Sequence, residues 1–270
     1  MELQRLYSYV RQAVEQYGMI CAGDHIAVGI SGGKDSLTLL YALAGLRRFY
    51  PKPFSLTAIT VHLGWEEMDF APIGALCEKL QVPYEIVHTQ IAEIIFDVRK
   101  EKHPCALCAK LRKGALNERA LALGCNKIAY AHHRDDFVET TFLSLLQEGR
   151  FSSLSPQYVL ERTGLTLIRP MMYLPEAQIR GFCKKYELPV VKNVCPADGN
   201  TARERVKQSL RQLQMDYPNM RERIFTAICQ AQFDDWLTMT EKREELENGD
   251  DNEQKNATDG FERNDGPAGA

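Results

Sequence analysis

Nowhere in the 270 residues is there a run of eighteen apolar side chains, so no membrane-spanning helix and no membrane partner are expected. The opening stretch, MELQRLYSYVRQAVEQYGMI, also lacks the apolar block of a secretory signal. Both absences point to a cytoplasmic chain. In that compartment the eight cysteines read as thiols, metal ligands or redox groups rather than as structural disulfides. Missing too is the Walker A spacing, with four residues between two glycines and a Lys directly after the second. A phosphate-binding loop must therefore take another form.

What is present suffices for a folded body, since a chain of this size with 44% hydrophobic residues can bury a sizeable core. Residues 1–240 read as one domain, and residues 241–270, rich in Gly, Asn, Asp and Glu, as a disordered acidic tail. The formal net charge is −3 for the whole chain. The tail holds ten acidic and four basic residues, a net of −6, which leaves the preceding residues at +3. A mildly basic body suits a polyanionic partner.

Chemistry concentrates first in IAVGISGGKDS, from Ile26 to Ser36. Alternating β-branched residues (Ile26, Val28, Ile30) enter a turn of small residues, and helical spacing follows with Leu37, Leu40, Tyr41 and Leu43. Gly32 and Gly33 let successive backbone N–H groups curl around an anion at the positive end of the helix. Lys34 adds a mobile cation. Ser31, Asp35 and Ser36 add oxygens for phosphate hydrogen bonds or magnesium. An ordinary βα turn also favours glycines, but not this density of polar groups after a buried strand.

Around it the pattern alternates. Leu3, Leu6, Val10 and Val14 predict an N-terminal helix ending near Gly18. Strands are expected at residues 55–63, 84–88 and 127–133, with helices between them. The fold class is α/β, a mostly parallel sheet with helices on both faces, followed by a short helical C-terminal extension. On such sheets ligands lie at the carboxyl ends of the strands, where SGGKDS, His62 and His132–His133 fall. Cys105 and Cys108 open a helix carrying Lys110, Arg112, Lys113 and Arg119. That position predicts easily formed thiolates able to ligate metal. Buried small hydrophobes or a thioredoxin-like redox pair are the alternatives. HHRDD brings His132, His133, Asp135 and Asp136, with Glu139 just beyond, suited to magnesium, phosphate and proton handling or simply to a solvated helix start. The loop with Arg150, Phe151 and Arg162 reads as a lid, an RNA contact or plain surface. Cys195 lies in a loop before a helix with Arg203, Arg205, Lys207 and Arg211, expected to begin at Thr201, and a last helix is expected from Asn219 to Trp236.

SGGKDS at a strand-to-helix junction resembles the PP-loop of the ATP pyrophosphatases, which cleave ATP between the α and β phosphates. Together with CALC and HHRDD, the chain resembles the tRNA 2-thiocytidine synthetases over most of residues 1–235; RPMMYLPE, LPVV and Cys195 extend the similarity. The resemblance implies an adenine nucleotide α-hydrolase-like, Rossmann-like fold. It implies ATP and magnesium at Ser31, Gly32, Gly33, Lys34, Asp35 and Ser36, with catalytic roles for Lys34, Asp35, His133 and Asp136. It implies a [4Fe–4S] cluster on Cys105, Cys108 and Cys195, leaving Cys21, Cys77, Cys125, Cys183 and Cys229 structural. The reaction implied is adenylation of the C2 oxygen of an anticodon-loop cytidine (position 32) and its replacement by sulfur, giving 2-thiocytidine, AMP and pyrophosphate. Its partners are tRNA and a cysteine desulfurase or other sulfur donor, and its usual state is a homodimer. Loop, HHRDD edge and cluster are expected to face a single cavity. Three alternatives remain at this point: a tRNA lysidine synthetase, a zinc site on the three cysteines and His103, and a non-catalytic iron–sulfur or zinc nucleotide-binding module.

Overall fold

The computed structural model describes residues 1–65, 67–101, 104–192, 194–197 and 201–231. The expected tail, the far end of the last helix and His103 lie outside the described residues. Helix α1 (Leu3–Gln16) buries Leu6, Val10, Ala13 and Val14, one stripe at helical spacing. It ends at Gly18, whose φ of 59° suits a glycine. Strand β1 (His25–Gly29) leads through the glycine turn into α2 (Lys34–Leu46); β2 (Ser55–His62), α3 (Ala71–Lys79) and β3 (Tyr84–His88) follow.

Next come a helical turn absent from the sequence reading, α4 (Ile91–Glu93), continued as a π-turn over Ile94–Val98, and the long α5 (Pro104–Ala122). Strand β4 is Lys127–Ala129 only, shorter than the expected 127–133. The residues after it leave the ladder to line a cavity, which ends their pairing. Helix α6 (Arg134–Leu143) runs on as a π-turn over Ser144–Glu148. The polar loop after it holds an unexpected short strand, β5 (Gln157–Val159), antiparallel to β6 (Thr166–Ile168). Helices α7 (Glu176–Lys185), α8 (Ala202–Asp216) and α9 (Met220–Gln230) complete the described chain. Thr201 caps α8 by accepting a hydrogen bond from Glu204 N at 3.2 Å, as its position before the helix predicts.

The six strands form one sheet in the order β3-β2-β1-β4-β6-β5, parallel except for β5. The chain winds outward from β1 to β3 and then returns to β4 on β1's other side. The ends of β1 and β4 therefore diverge into a crevice, the usual ligand position. Alternation along β1 divides the core. Ile26, Val28 and Ile30 join the large cluster with α1, α2, α6 and α7, while Ala27 joins Ile59, Ile128, Leu116 and Ala120 beneath α5. Each large aliphatic side chain so buried contributes roughly 1.5–3 kcal/mol. At the far end of β1, Lys127 Nζ donates to Asp24 Oδ2 and to the Met19 carbonyl, both at 2.8 Å, while Asn126 donates to Asp24 Oδ1 at 2.8 Å. This buried pair pins β1 to β4 at the end opposite the crevice.

Candidate active site

The glycine turn is held from within and from behind. Ser36 Oγ accepts from Ser31 N at 3.2 Å and donates to the Gly33 carbonyl at 3.0 Å, and Gly33 N donates to Ser31 Oγ at 3.3 Å. Gly32 sits at φ +82°, and a Cβ there would meet Val191 Cβ at 3.1 Å. Any side chain is thus excluded by both backbone and space. Val191 N in turn donates to the Gly32 carbonyl at 3.0 Å, so the LPVV segment straps the turn rather than adding a strand.

Lys34 Nζ donates to Asp35 Oδ2 at 2.9 Å and pairs with Glu176 Oε1 at 3.2 Å, while Lys207 Nζ takes Glu176 Oε2 at 3.0 Å. Burial alone would pull the Lys34 ammonium down, but Asp35 and Glu176 outweigh it and hold it above its usual range. Burial likewise pushes Glu176 up, yet Lys207 and Lys34 bring its carboxyl down to about 2. His133 Nε2 lies 3.7 Å from Asp35 Oδ1, a buried oxygen with no hydrogen-bond partner. Asp136 accepts from His133 N at 2.8 Å and pairs with Arg203 at 3.3 Å. His132 differs from its neighbour: its Nδ1 accepts from Arg169 Nε at 3.1 Å. Burial first, then Arg169, Arg203 and Lys113, keep its ring neutral. The two imidazoles, equivalent on paper, are thus separated by their surroundings.

Two neighbouring cavities open at this edge. One, of about 340 Å³, is lined by Ser31, Asp35, Ser36, Tyr130, His132 and Asp136, with Ile59 and Val61 as apolar wall and Arg112 and Lys113 opposite. Lys34 and His133 reach it through Asp35, to which both are paired. The other, of about 200 Å³, is lined by Cys105, Cys108 and Cys195 among Leu63, Trp65, Ile95 and Phe96. Ala109 and Arg112 of α5 line both. The expected single cavity is resolved into two adjoining ones that share Ala109 and Arg112 of α5. Expected easy ionisation is corrected as well for Cys108. Burial pushes its thiol up, Arg112 pulls it back, and the Cys195 and Cys105 sulfurs push it up again. None of the eight cysteines is in a disulfide. Among the described residues no group of three or more His, Cys, Asp or Glu side chains is gathered closely enough to hold a metal ion. The three thiols line one cavity.

Residues 5–214 match the family described as the PP-loop domain. A tRNA-cytidine(32) 2-sulfurtransferase of Pelobacter propionicus is 37% identical over 228 residues, covering 83% of this chain and 85% of its own. Its counterpart in Geobacter sulfurreducens is 34% identical over 232 residues, covering 85% and 90%. This chain belongs to the tRNA-cytidine(32) 2-sulfurtransferase family. Among solved structures, a U34-tRNA thiolase of Methanococcus maripaludis with its [4Fe–4S] cluster superposes at a TM-score of 0.68 over 83% of this chain and 76% of that one, at 22% identity. That likeness speaks to the fold. Family membership sets aside the lysidine synthetase and the non-catalytic module.

Several groups in the sulfurtransferase site were not legible beforehand. Glu176, which opens α7 after Pro175, closes the RPMMYLPE segment, but no role was read for it. Arg169 looked like part of a strand end, yet it is buried beneath His132 and stacks its guanidinium 5.3 Å from the Tyr158 ring. Arg203 and Lys207, read from the sequence only as basic residues of one helix, are tied to Asp136 and Glu176. Asp135 and Glu139 take Arg221 at 3.1 and 3.5 Å, so they anchor α9 on α6. Glu139 lines neither cavity, and burial, with Asp136 close by, pushes its carboxyl up. A further cavity of about 350 Å³ is lined by Arg134, Arg180, Lys207, Arg211 and Arg221 together with Asp135, Glu176 and Glu222, five basic groups against three acidic ones. Arg134 Nε there is buried with no partner. Of the cysteines expected to be structural, Cys77 and Cys125 are buried, whereas Cys21 is exposed. No described helix is long and apolar enough to cross a membrane.

Proposed function

We propose that this sulfurtransferase adenylates the C2 oxygen of cytidine 32 in a tRNA anticodon loop and replaces that oxygen with sulfur, giving 2-thiocytidine, AMP and pyrophosphate. The observation that carries the reading is the shared wall. A cavity with a phosphate loop and a cavity with three thiols meet along one face of α5.

Oxide is a very poor leaving group, and adenylation turns it into AMP. The glycine turn at the start of α2 and the Lys34 ammonium neutralise charge that develops on the departing pyrophosphate. Asp35 Oδ1, buried and unpartnered, and Asp136 on the same cavity offer carboxylate oxygens, the ligands that magnesium prefers. His133, beside Asp35, is placed to move a proton at the reacting base. The neutral His132 ring, held by Arg169, keeps a hydrogen-bonding edge at the cavity without adding charge. A single-stranded loop base can be splayed out and stacked, and Tyr130 supplies a ring on the cavity wall. Arg134, Arg180 and Arg211 in the basic cleft suit the tRNA backbone.

The thiol cavity fits a cluster by its donor chemistry: three sulfur ligands within an otherwise largely apolar lining. Cys105, Cys108 and Cys195 would hold a [4Fe–4S] cluster there, which would supply the sulfur chemistry. The reading also takes sulfur from a cysteine desulfurase or another donor and has the enzyme work as a cytoplasmic homodimer. Nucleoside mass spectrometry on total tRNA from a strain lacking the gene tests the reading. Loss of 2-thiocytidine, restored by the intact gene and not by Cys105→Ala, is expected; unchanged 2-thiocytidine would overturn it.

A further inference from the structure

Cys105, Cys108, Ala109, Arg112 and Leu116 each lie three or four residues from another of the set, so they share one face of α5. That face changes its cavity along its length. Cys105 and Cys108 line the thiol cavity, Ala109 and Arg112 line both, and Lys113 and Leu116 line the nucleotide cavity. From residue 109 to residue 112 the helix rises only about 4.5 Å. At the overlap stands an exposed alanine, the smallest side chain that helical geometry favours. Beside it stands an arginine whose charge and hydrogen bond act on the Cys108 thiol.

We infer that Ala109 is the opening through which sulfur passes from the thiol cavity to the activated cytidine, and that Arg112 is the positioning residue at its rim. The inference rests on the proposed function. The step it serves is redox-neutral: the sulfur of a hydrosulfide ion bonds to C2, the C2–O bond breaks, and AMP leaves with that oxygen and the bonding pair. The hydrosulfide proton is released as C2=S is completed. Hydrosulfide is a small anion, so a methyl-sized opening passes it, and a guanidinium at the rim attracts it. A bulkier side chain at 109 closes the route without touching Lys34 or the thiols.

The test uses the reconstituted enzyme, an unmodified tRNA transcript, ATP labelled at the α-phosphate and sodium sulfide. It reads 2-thiocytidine formed per pyrophosphate released, together with adenylated tRNA. Ala109→Leu is expected to lower that ratio at least tenfold and to accumulate adenylated tRNA, with the visible absorption of the cluster retained. Ala109→Ser should keep the ratio within twofold. Arg112→Met should raise the sulfide concentration needed for half-maximal thiolation several-fold, with partial recovery in Arg112→Lys. An unaltered ratio in Ala109→Leu would overturn the passage. So would loss of pyrophosphate release in both cluster-loaded and cluster-free Ala109→Leu protein, since the residue would then serve nucleotide binding. A wild-type enzyme that releases pyrophosphate yet forms no 2-thiocytidine overturns the proposed function itself, and the passage with it.

Discussion

The two halves of the site are built on different terms. On the phosphate-loop side nearly every charge already has an opposite: Lys34 with Asp35 and Glu176, Glu176 with Lys207, Asp136 with Arg203. On the cysteine side the three thiols border one largely apolar cavity, and no ion pair among the described residues ties them to one another. The first half is preorganised by the chain's own ion pairs, so binding energy is not spent on arranging it. The second has donors but no internal force to draw them together. Whatever binds there supplies the convergence, as metal binding does at sites that are incomplete without metal.

Substitutions can break this comparison from either side. Lys34→Ala is expected to lower tRNA-dependent pyrophosphate release by about 10²–10³-fold, the usual loss for one preorganised electrostatic contact, and thiolation with it. Cys105→Ala and Cys108→Ala should abolish thiolation while pyrophosphate release continues, and assaying both products on each variant separates the halves. At the pinned end of the sheet, Asp24→Ala leaves the Lys127 ammonium buried and unpaired. That should cost about 3–5 kcal/mol, read from denaturant or thermal unfolding.

Acid offers a subtler test of the preorganised half. Burial raises the Glu176 carboxyl, but its two lysines outweigh that and leave it at about 2, against an ordinary 4.5. A carboxyl depressed in the folded state stabilises above its unfolded value and loses that contribution as pH falls towards the folded one. The wild type should therefore shed on the order of 2 kcal/mol between about pH 4.5 and 2. A Glu176→Gln protein should show a shallower acid transition, and an identical one would refute the assignment. The smallest effects belong to the basic cleft. Arg180→Ala and Arg211→Ala should weaken tRNA binding a few-fold, and each should lower the salt slope by about 1.

Much of the layout could be read from residue order. The β1–turn–α2 junction, the parallel sheet and the placement of SGGKDS and HHRDD at one edge follow from periodicity and glycines, which are local signals. Thr201 capping α8 is local too. What escaped depends on side chains meeting across the fold. Glu176 follows Lys34 by far more than a hundred positions, and nothing in PEAQIRG announces that it clamps a phosphate-loop lysine. Arg203 and Lys207 looked like surface charge because helical spacing cannot tell which carboxylates another helix presents. Strand β4 was read too long, since AYAHH continues an apolar pattern even though its residues line a cavity. The ease of ionising Cys108 was misjudged for a similar reason. Helix position and nearby basic residues are visible in sequence, but burial and the approach of Cys195 are not.

Val191 grips the Gly32 carbonyl, and Cys195 lies four residues further along the chain. Four residues reach about 14 Å at full stretch, so the glycine turn and one thiol hang from a single short leash. That reach bounds how far Cys195 can lie from the strapped turn. An insertion between Val191 and Cys195 would loosen that bound while leaving the Val191 hydrogen bond to the glycine turn in place.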